Sequence, residues 1–311
     1  MSSTGINTPS NTVIQKDRNS SAGFFRIVGF VSILLMSPGC ITLQGGKSFQ
    51  LPTGLIVDSD LTELSGIVPT QTPNQYWAHN DSGHSNRIFK FDETGQVLGS
   101  VVIADSKNKD WEAMQRVDEE NLLIADVGDN DLKRDRYQIY LMKEPNLEAT
   151  SGKAVRIDFQ YPQGRSVNCE AVFLMEDRLY LIAKKNLFAS SSVIYCLDEL
   201  IPGRLPIARK VGRMPIKGSV TDACYNAESK ELAVLTYTGV SFFKVDGETD
   251  LLKESSQKIA GLFGQCEAIC YDREFLVIAN EAGRIWKHPR KAFNLREQAV
   301  KRSSKSGSSG K

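Results

Sequence analysis

The chain has 311 residues, of which 41% are hydrophobic and 24% are charged, and its formal net charge is +1. This composition is typical of a globular protein with one large all-β domain or two ordinary domains. The near-neutral charge gives no reason to expect a nucleic-acid partner.

The first part of the chain, residues 1–45, is predicted to be an export signal or lipid anchor. An apolar run spans 27–36 after a polar stretch with basic residues, and Gly39-Cys40 follows it. This order is typical of an export signal, and the run is shorter than the roughly 20 residues that span a bilayer. Gly39-Cys40 is similar to the end of a bacterial lipobox. We therefore expect Cys40 to be lipidated and the protein to lie in the cell envelope, membrane-anchored; a plain cleaved signal and a periplasmic protein, or an uncleaved anchor, are the alternatives.

After this segment, residues 46–290 are predicted to form a domain of short strands. Very apolar runs punctuated by Gly, Asn and Asp predict strands at 75–78, 121–125, 178–183, 231–235 and 275–279. Each is followed by an aromatic or isoleucine-containing strand, at 87–91, 138–141, 193–196, 241–244 and 284–287. A fourth strand is visible in most copies, for example at 97–103 and 155–160. The remaining residues, 291–311, are predicted to be a disordered basic tail.

A short signature opens each group of strands and identifies a repeat. It reads Leu64-Ser65-Gly66, Trp111-Glu112-Ala113, Cys169-Glu170-Ala171, Thr221-Asp222-Ala223 and Cys266-Glu267-Ala268, at intervals of 45 to 58 residues. Repeats of this length, each with four strands, predict an all-β fold, a β-propeller with five blades, six being the alternative. The last repeat lacks its fourth strand. We expect 48–56 to supply it and to close the ring.

In a closed propeller, the signature residues would meet at one end of the central channel. The predicted metal ligands are Glu112, Glu170, Asp222 and Glu267 in an inner ring, with Asp81, Asp126 and Glu281, about 14 residues further along in their repeats, in an outer one. Two carboxylates roughly 6 Å apart repel by about 3 kcal/mol at an effective dielectric of about 20. Either their pKa values rise or a cation binds among them. Oxygen donors of this kind favour calcium.

Other side chains at the same end predict a ligand site. Lys184 and Arg136, with Asn80 and Tyr237, are predicted to bind a small anionic ligand beside the cation. The alternative is structural: acidic side chains at the blade openings accept hydrogen bonds from backbone N–H groups of the neighbouring blade. On that interpretation the protein is an interaction scaffold with an unidentified protein partner.

Histidine and cysteine do not predict a zinc site. His79, His84 and His288 are too few and too scattered, and we expect the first two at the surface. Cys266 and Cys270 have no histidine nearby, so we interpret the cysteines as small core residues.

Several strings together resemble a known group of proteins. They are Leu64-Ser65-Gly66-Ile67, Trp77 to Gly83, Asp110-Trp111-Glu112, Asp126 to Asn130 with Arg136, Glu170-Ala171, Lys184, Thr221-Asp222-Ala223 and Gln265 to Ala268. This layout resembles the SdiA-regulated family of bacterial exported propellers and, more distantly, the β-propeller phytases. The resemblance implies calcium at one mouth of the channel and a calcium-dependent phosphoesterase as an alternative function. The chain departs from the phytases in having five repeats and in lacking their acidic doublets and basic phosphate clamps.

Overall fold

The computed structural model describes residues 52–56, 58–149, 151–237, 239–255, 257–260 and 264–290. The predicted export segment with Cys40 and the predicted tail at 291–311 lie outside these residues. Within them, two short 3-10 helices, Pro162–Gly164 and Glu248–Leu252, lie in connections between strands. No helix of this part of the chain has the length and apolar character needed to cross a membrane.

The described strands form five antiparallel groups of four, numbered here as blades, and the outer strands of the first two blades also pair with each other in parallel, so that these two blades share one eight-stranded sheet. Blade 1 contains β2 (Leu64–Pro69), β3 (Gln75–Asn80), β4 (Arg87–Asp92) and β5 (Val97–Ala104). Blade 2 contains β6 (Trp111–Arg116), β7 (Asn121–Asp126), β8 (Tyr137–Lys143) and β9 (Ser151–Phe159). Blade 3 contains β10 (Cys169–Met175), β11 (Arg178–Ala183), β12 (Ser192–Leu197) and β13 (Arg209–Met214). Blade 4 contains β14 (Val220–Asn226), β15 (Glu231–Thr236), β16 (Gly239–Lys244) and β17 (Gln257–Ala260).

Blade 5 is completed by the start of the domain, as the sequence predicted. It contains β18 (Cys266–Asp272), β19 (Phe275–Asn280) and β20 (Arg284–Pro289), and its outer strand is β1 (Gly54–Leu55). Gly54 lies opposite Ile285, and the Thr53 N–H donates to the Ile285 carbonyl at 2.8 Å. This pairing covers the edge of β20 that would otherwise be open.

The blades are arranged in a closed ring. Their first strands contact one another in the cyclic order β2, β6, β10, β14, β18 and back to β2. Five hydrophobic clusters fill the spaces between neighbouring blades, and each cluster takes its side chains from two of them. The fold is therefore a β-propeller, as predicted, and the described strands supply five four-stranded blades.

The sequence of each strand follows from its position in the blade. The second strands pack on both faces, which is why they read as continuous apolar runs such as Leu122 to Ala125, all fully buried. The outer strands have one exposed face, and β9 accordingly alternates between buried and exposed residues.

His79 is buried inside this packing, so the prediction that it lies at the surface was wrong. It belongs to β3 and is fully buried, with its ring edge-on to Trp111 at a centroid distance of 5.5 Å. Burial lowers the pKa of His79 to about 4, although hydrogen bonds to backbone groups oppose this. The side chain is therefore neutral at pH 7 and acts as a core residue.

Candidate metal centre

Each first strand carries a β-bulge close to its start, at one end of the channel. The pairing with the second strand skips one residue there, and the skipped residues are Ser65, Glu112, Glu170, Thr221 and Glu267. A bulge redirects the side chain of its extra residue. The repeated signature is thus a bulge signature, which explains why polar residues recur at the start of otherwise apolar strands.

The bulge position in blade 4 is Thr221, so Asp222 is not equivalent to the three glutamates. Asp222 is fully buried, and its carboxylate accepts hydrogen bonds from the N–H of Ala223 at 2.7 Å and of Ile269 at 2.8 Å. Ile269 belongs to the neighbouring blade. The structural alternative considered above therefore describes Asp222, whose carboxylate joins blades 4 and 5.

A tight cluster of carboxyl groups lies at the junction of blades 1 and 2. Carboxylate oxygens of Asp81, Asp110 and Glu112 lie within 4.8 Å of one another. Asp81 directly follows β3, Asp110 directly precedes β6, and Glu112 is the bulge residue of β6. Glu112 is 2% exposed and Asp110 is 8% exposed. The strand pairing therefore brings together three carboxyl groups, those of Asp110 and Glu112 buried and that of Asp81 half-buried.

Two oxygens of this cluster have no conventional hydrogen-bond donor. Oδ1 of Asp110 and Oε1 of Glu112 are buried and have no hydrogen-bond partner among the described residues. The backbone of Gly128 lies against both carboxyl groups, because a Cβ built on Gly128 would lie 2.5 Å from Asp110 Oδ2 and would overlap Glu112 Oε1. Buried acceptors without donors are costly unless a proton or a cation compensates them.

A second set of acidic residues lies further around the ring, in blades 3 and 5. The Glu170 carboxylate lies 3.0 Å from the Lys184 ammonium group, which is also 5.5 Å from the centre of the Tyr237 ring. The carboxyl group of Glu281 lies near that of Glu267 and accepts a hydrogen bond from the Gln265 side chain at 2.7 Å. Lys184, Tyr237 and Glu281 each follow directly after the second strand of their blade, as Asp81 does.

The electrostatics of the cluster favour protons or a cation. Burial, together with the neighbouring charges of Asp81 and Glu170, raises the pKa of Asp110 to about 7. Burial and the charges of Glu170 and Asp81 also raise the pKa of Glu112 well above its ordinary value. Glu112 and Glu170 share a hydrogen bond between their carboxyl groups. This part of the ring therefore carries fewer negative charges at pH 7 than it has carboxyl groups.

Lys184 compensates the other side of the ring only in part. Burial raises the pKa of Glu267 to about 8, with Lys184 opposing the change. Burial would lower the pKa of Lys184, but the charges of Glu170 and Glu267 raise it well above its ordinary value. Lys184 is thus firmly protonated, and its single charge faces several carboxyl groups.

Three of the predicted site residues have other roles. The Asn80 side-chain oxygen accepts hydrogen bonds from the N–H groups of Thr62 and Glu63, both at 3.0 Å, and so orders that loop. Asp126 is the last residue of β7 and is fully buried in an ion pair with Arg134 at 2.7 Å. Arg136 is exposed and lines a different cleft from Lys184.

Asp126 falls outside the outer ring because of its position in the strand. The ring residues directly follow a second strand, and in blade 2 that place belongs to Val127, which is buried in the core. Asp110 takes part in the cluster instead. The sequence signal for it was its spacing of two from Glu112 at the opening of a strand.

No protein-family profile matches the chain, and no curated protein matches it. Solved structures that are similar include U3-55K, with 13% identity over 72% of this chain and 64% of that one and a TM-score of 0.38. They also include a nidogen/laminin complex, with 13% identity over 73% and 81% of the two chains and a TM-score of 0.41. The PQQ-bound aldose sugar dehydrogenase of Streptomyces coelicolor is 11% identical over 77% of this chain and 97% of that one, with a TM-score of 0.43.

Proposed function

We propose that the propeller binds a divalent cation, calcium, in the cluster of Asp81, Asp110 and Glu112. The observation that carries this proposal is the pair of buried, donor-free oxygens on Asp110 and Glu112. A cation in contact with these oxygens would compensate both of them and would allow the three carboxyl groups to be ionised together. Glu170 and the more distant Glu267 and Glu281 would add negative charge around it.

The chemistry of the donors favours calcium over zinc. The clustered groups are all carboxylates, and calcium accepts six to eight oxygen ligands in flexible geometry, including water. Zinc sites use histidine or cysteine at four-coordinate positions. The nearby His79 has its Nδ1 atom 2.9 Å from the Asn80 carbonyl and lies within the core packing.

The second part of the proposal is a small anionic ligand near Lys184, at the same end of the channel. A shallow cavity of about 560 Å³ is lined by Lys184, Lys185 and Ser219, with the apolar side chains of Leu187 and Phe188 at its border. Two ammonium groups beside a calcium ion would attract an anionic group. Following the sequence of residues 1–45, we place this activity in the cell envelope, with Cys40 as the lipid-bearing residue.

A calcium titration of the purified protein tests the cation site. At pH 8, added calcium should raise the melting temperature of the wild-type protein, because the folded form alone holds the clustered oxygens. The Glu112→Gln variant should lose most of this increase. Asp118→Asn is the control, since Asp118 is exposed and its carboxylate serves only its own turn. A wild-type protein that binds no calcium, by melting temperature and by calorimetry, would overturn the proposal and favour the scaffold alternative.

The phosphoesterase alternative requires Lys184 and Arg136 to hold one phosphate group. These residues line separate cavities, so this pairing has no support from their positions. A phosphatase screen with added calcium separates the two functions: turnover that disappears in both Glu170→Gln and Lys184→Ala would favour the enzyme.

A further inference from the structure

A basic cleft of about 630 Å³ lies beside blade 2, and none of the clustered carboxylates lines it. It is formed by the connection from β5 to β6, the connection from β7 to β8, and residues of β8 and β9. Six basic side chains line it: Lys107, Lys109, Lys133, Arg134, Arg136 and Arg156. Only three acidic residues do so, which leaves an excess of positive charge in a concave surface.

Three of the basic groups have no acidic partner. Lys133 pairs with Asp131 at 2.8 Å, and Arg156 pairs with Asp158 at 2.9 Å. By contrast, Lys107, Lys109 and Arg136 form no ion pair within the described part of the chain, and all three are exposed. These three positive charges are available to an external anion.

The wall of the cleft is held by the fold rather than by loose side chains. Arg134 donates to the carbonyls of Gly128 at 2.7 Å and Asp126 at 3.0 Å and to the Gln138 side chain at 2.9 Å. Its guanidinium group also lies over the Tyr137 ring, 4.8 Å from the centroid. Arg134, whose charge is paired with Asp126, therefore holds this wall of the cleft in place.

The backbone that presents the lysines is fixed as well. The Lys107 N–H donates to the Tyr140 hydroxyl at 3.2 Å, and the Lys107 carbonyl accepts from the Trp111 indole at 3.0 Å. The N–H of Asp110, the residue after Lys109, donates to the Asp126 carboxylate at 3.2 Å. A preorganised backbone lowers the entropy that must be lost when a ligand is bound.

From this arrangement we infer that the cleft binds a small soluble ligand with a phosphate group, held by Lys107, Lys109 and Arg136. Phosphate oxygens suit both the planar guanidinium of an arginine and the point charge of a lysine. A concave site suits a compact anion better than it suits a flat membrane surface. This site is independent of the proposed calcium site, because it uses no carboxylate of the cluster.

Calorimetric titration with inorganic pyrophosphate, in calcium-free buffer of low ionic strength, tests the inference. The wild-type protein should bind, and Lys109→Gln combined with Arg136→Gln should weaken binding at least tenfold. The control combines Arg204→Gln with Lys210→Gln, which removes the same charge from exposed positions of blade 3 outside the cleft. The control should bind as the wild type does.

Other outcomes would overturn the inference. The first is no binding by the wild-type protein, and the second is an equal loss of affinity in the two double variants. The third is binding that requires calcium and disappears in Glu112→Gln, because that result would place the anion at the carboxyl cluster. Binding to vesicles of phosphatidic acid without binding of pyrophosphate would identify a membrane contact instead of a site for a soluble ligand. Binding of pyrophosphate that survives in Glu112→Gln and fails in the cleft variant would support it, even if the calcium proposal fails.

Discussion

Glu170 and Lys184 form an ion pair at 3.0 Å across the first two strands of blade 3, with Glu170 almost fully buried. Glu112 has the same bulge position in blade 2, but there Val127 occupies the place equivalent to Lys184. Asp81 occupies that place in blade 1. The uncompensated acidic groups are consequently concentrated at blades 1 and 2, and this asymmetry locates the proposed cation site.

The first prediction concerns the stability of the metal-free protein between pH 6.5 and 8. Asp110 and Glu267 have pKa values raised to about 7 and about 8, so in this range the folded state binds more protons than the unfolded state. Stability must therefore fall as the pH rises. We expect a loss of about 2 kcal/mol, or roughly 5 °C in melting temperature.

Calcium should reverse this loss at pH 8 and have less effect at pH 6.5, where protons compete for the same oxygens. The window avoids the opposing contribution of His79, whose lowered pKa of about 4 makes stability rise between about pH 4 and 6.5. Combining Asp110→Asn with Glu267→Gln should flatten the melting-temperature profile. A profile equally steep in that double variant would contradict the prediction.

The second prediction concerns the ion pair of Glu170 and Lys184 when its positively charged member is removed. Lys184→Met leaves the buried Glu170 without its positive partner, which typically costs about 3 kcal/mol. The loss, measured by urea unfolding at pH 8, should shrink as the pH is lowered, because burial raises the pKa of Glu170 and Lys184, which opposes this, is absent in the variant. Adding Glu170→Gln to Lys184→Met should recover much of the stability. No recovery in the double variant would mean that Lys184 acts through its packing on Tyr237.

The third prediction separates blade joining from cation binding. Asp222→Ala leaves the buried N–H groups of Ala223 and Ile269 without an acceptor, so we expect a loss of about 2 kcal/mol in the free energy of unfolding. Asp222→Asn retains one carbonyl oxygen and should lose less. Neither variant should change the calcium dissociation constant measured by calorimetry. A tenfold weaker constant in Asp222→Asn would return Asp222 to the metal ligands.

The sequence was sufficient to predict the propeller and its closure, but only part of the site. The buried second strands and the repeated signature are spaced regularly enough to identify the blades, and the missing outer strand of the last repeat indicated the role of β1. The bulge is invisible in the sequence. Aligning the repeats on their shared alanine pairs Asp222 with Glu170. In the structure, Thr221 is the residue that occupies the bulge position equivalent to Glu170.

Residues in connections were harder to predict, because their side chains are positioned by loop geometry rather than by strand period. Arg136 was predicted to bind the anionic ligand together with Lys184, whereas the two residues line separate cavities and the turn after β7 directs Arg134, not Arg136, to the Asp126 carboxylate. Asp110 was not selected for a similar reason, since it precedes the strand that carries Glu112 and reaches the cluster through a loop.

The fourth prediction compares these two arginines. Arg134→Met removes the partner of the fully buried Asp126 and should destabilise the protein by about 3 kcal/mol. Arg136→Met, the matched control two residues away, changes an exposed side chain and should alter the stability by less than about 0.5 kcal/mol. Both values are measured by urea unfolding. Equal losses would show that the ion pair of Arg134 does not stabilise blade 2.

The fifth prediction tests the cation site without changing any charge. Gly128 has a backbone conformation outside the left-handed region, so alanine is tolerated there by the main chain. Its methyl group would, however, press on the carboxyl groups of Asp110 and Glu112, because the backbone of Gly128 lies directly against them. We expect Gly128→Ala to weaken calcium binding at least tenfold in calorimetry at pH 8. Gly247→Ala, at an open position with extended backbone in the connection after β16, is the control for a glycine replacement and should bind calcium as the wild type does. Because Gly128→Ala leaves every carboxylate in place, unchanged calcium affinity in this variant would show that the cation, if bound, lies elsewhere in the acidic ring.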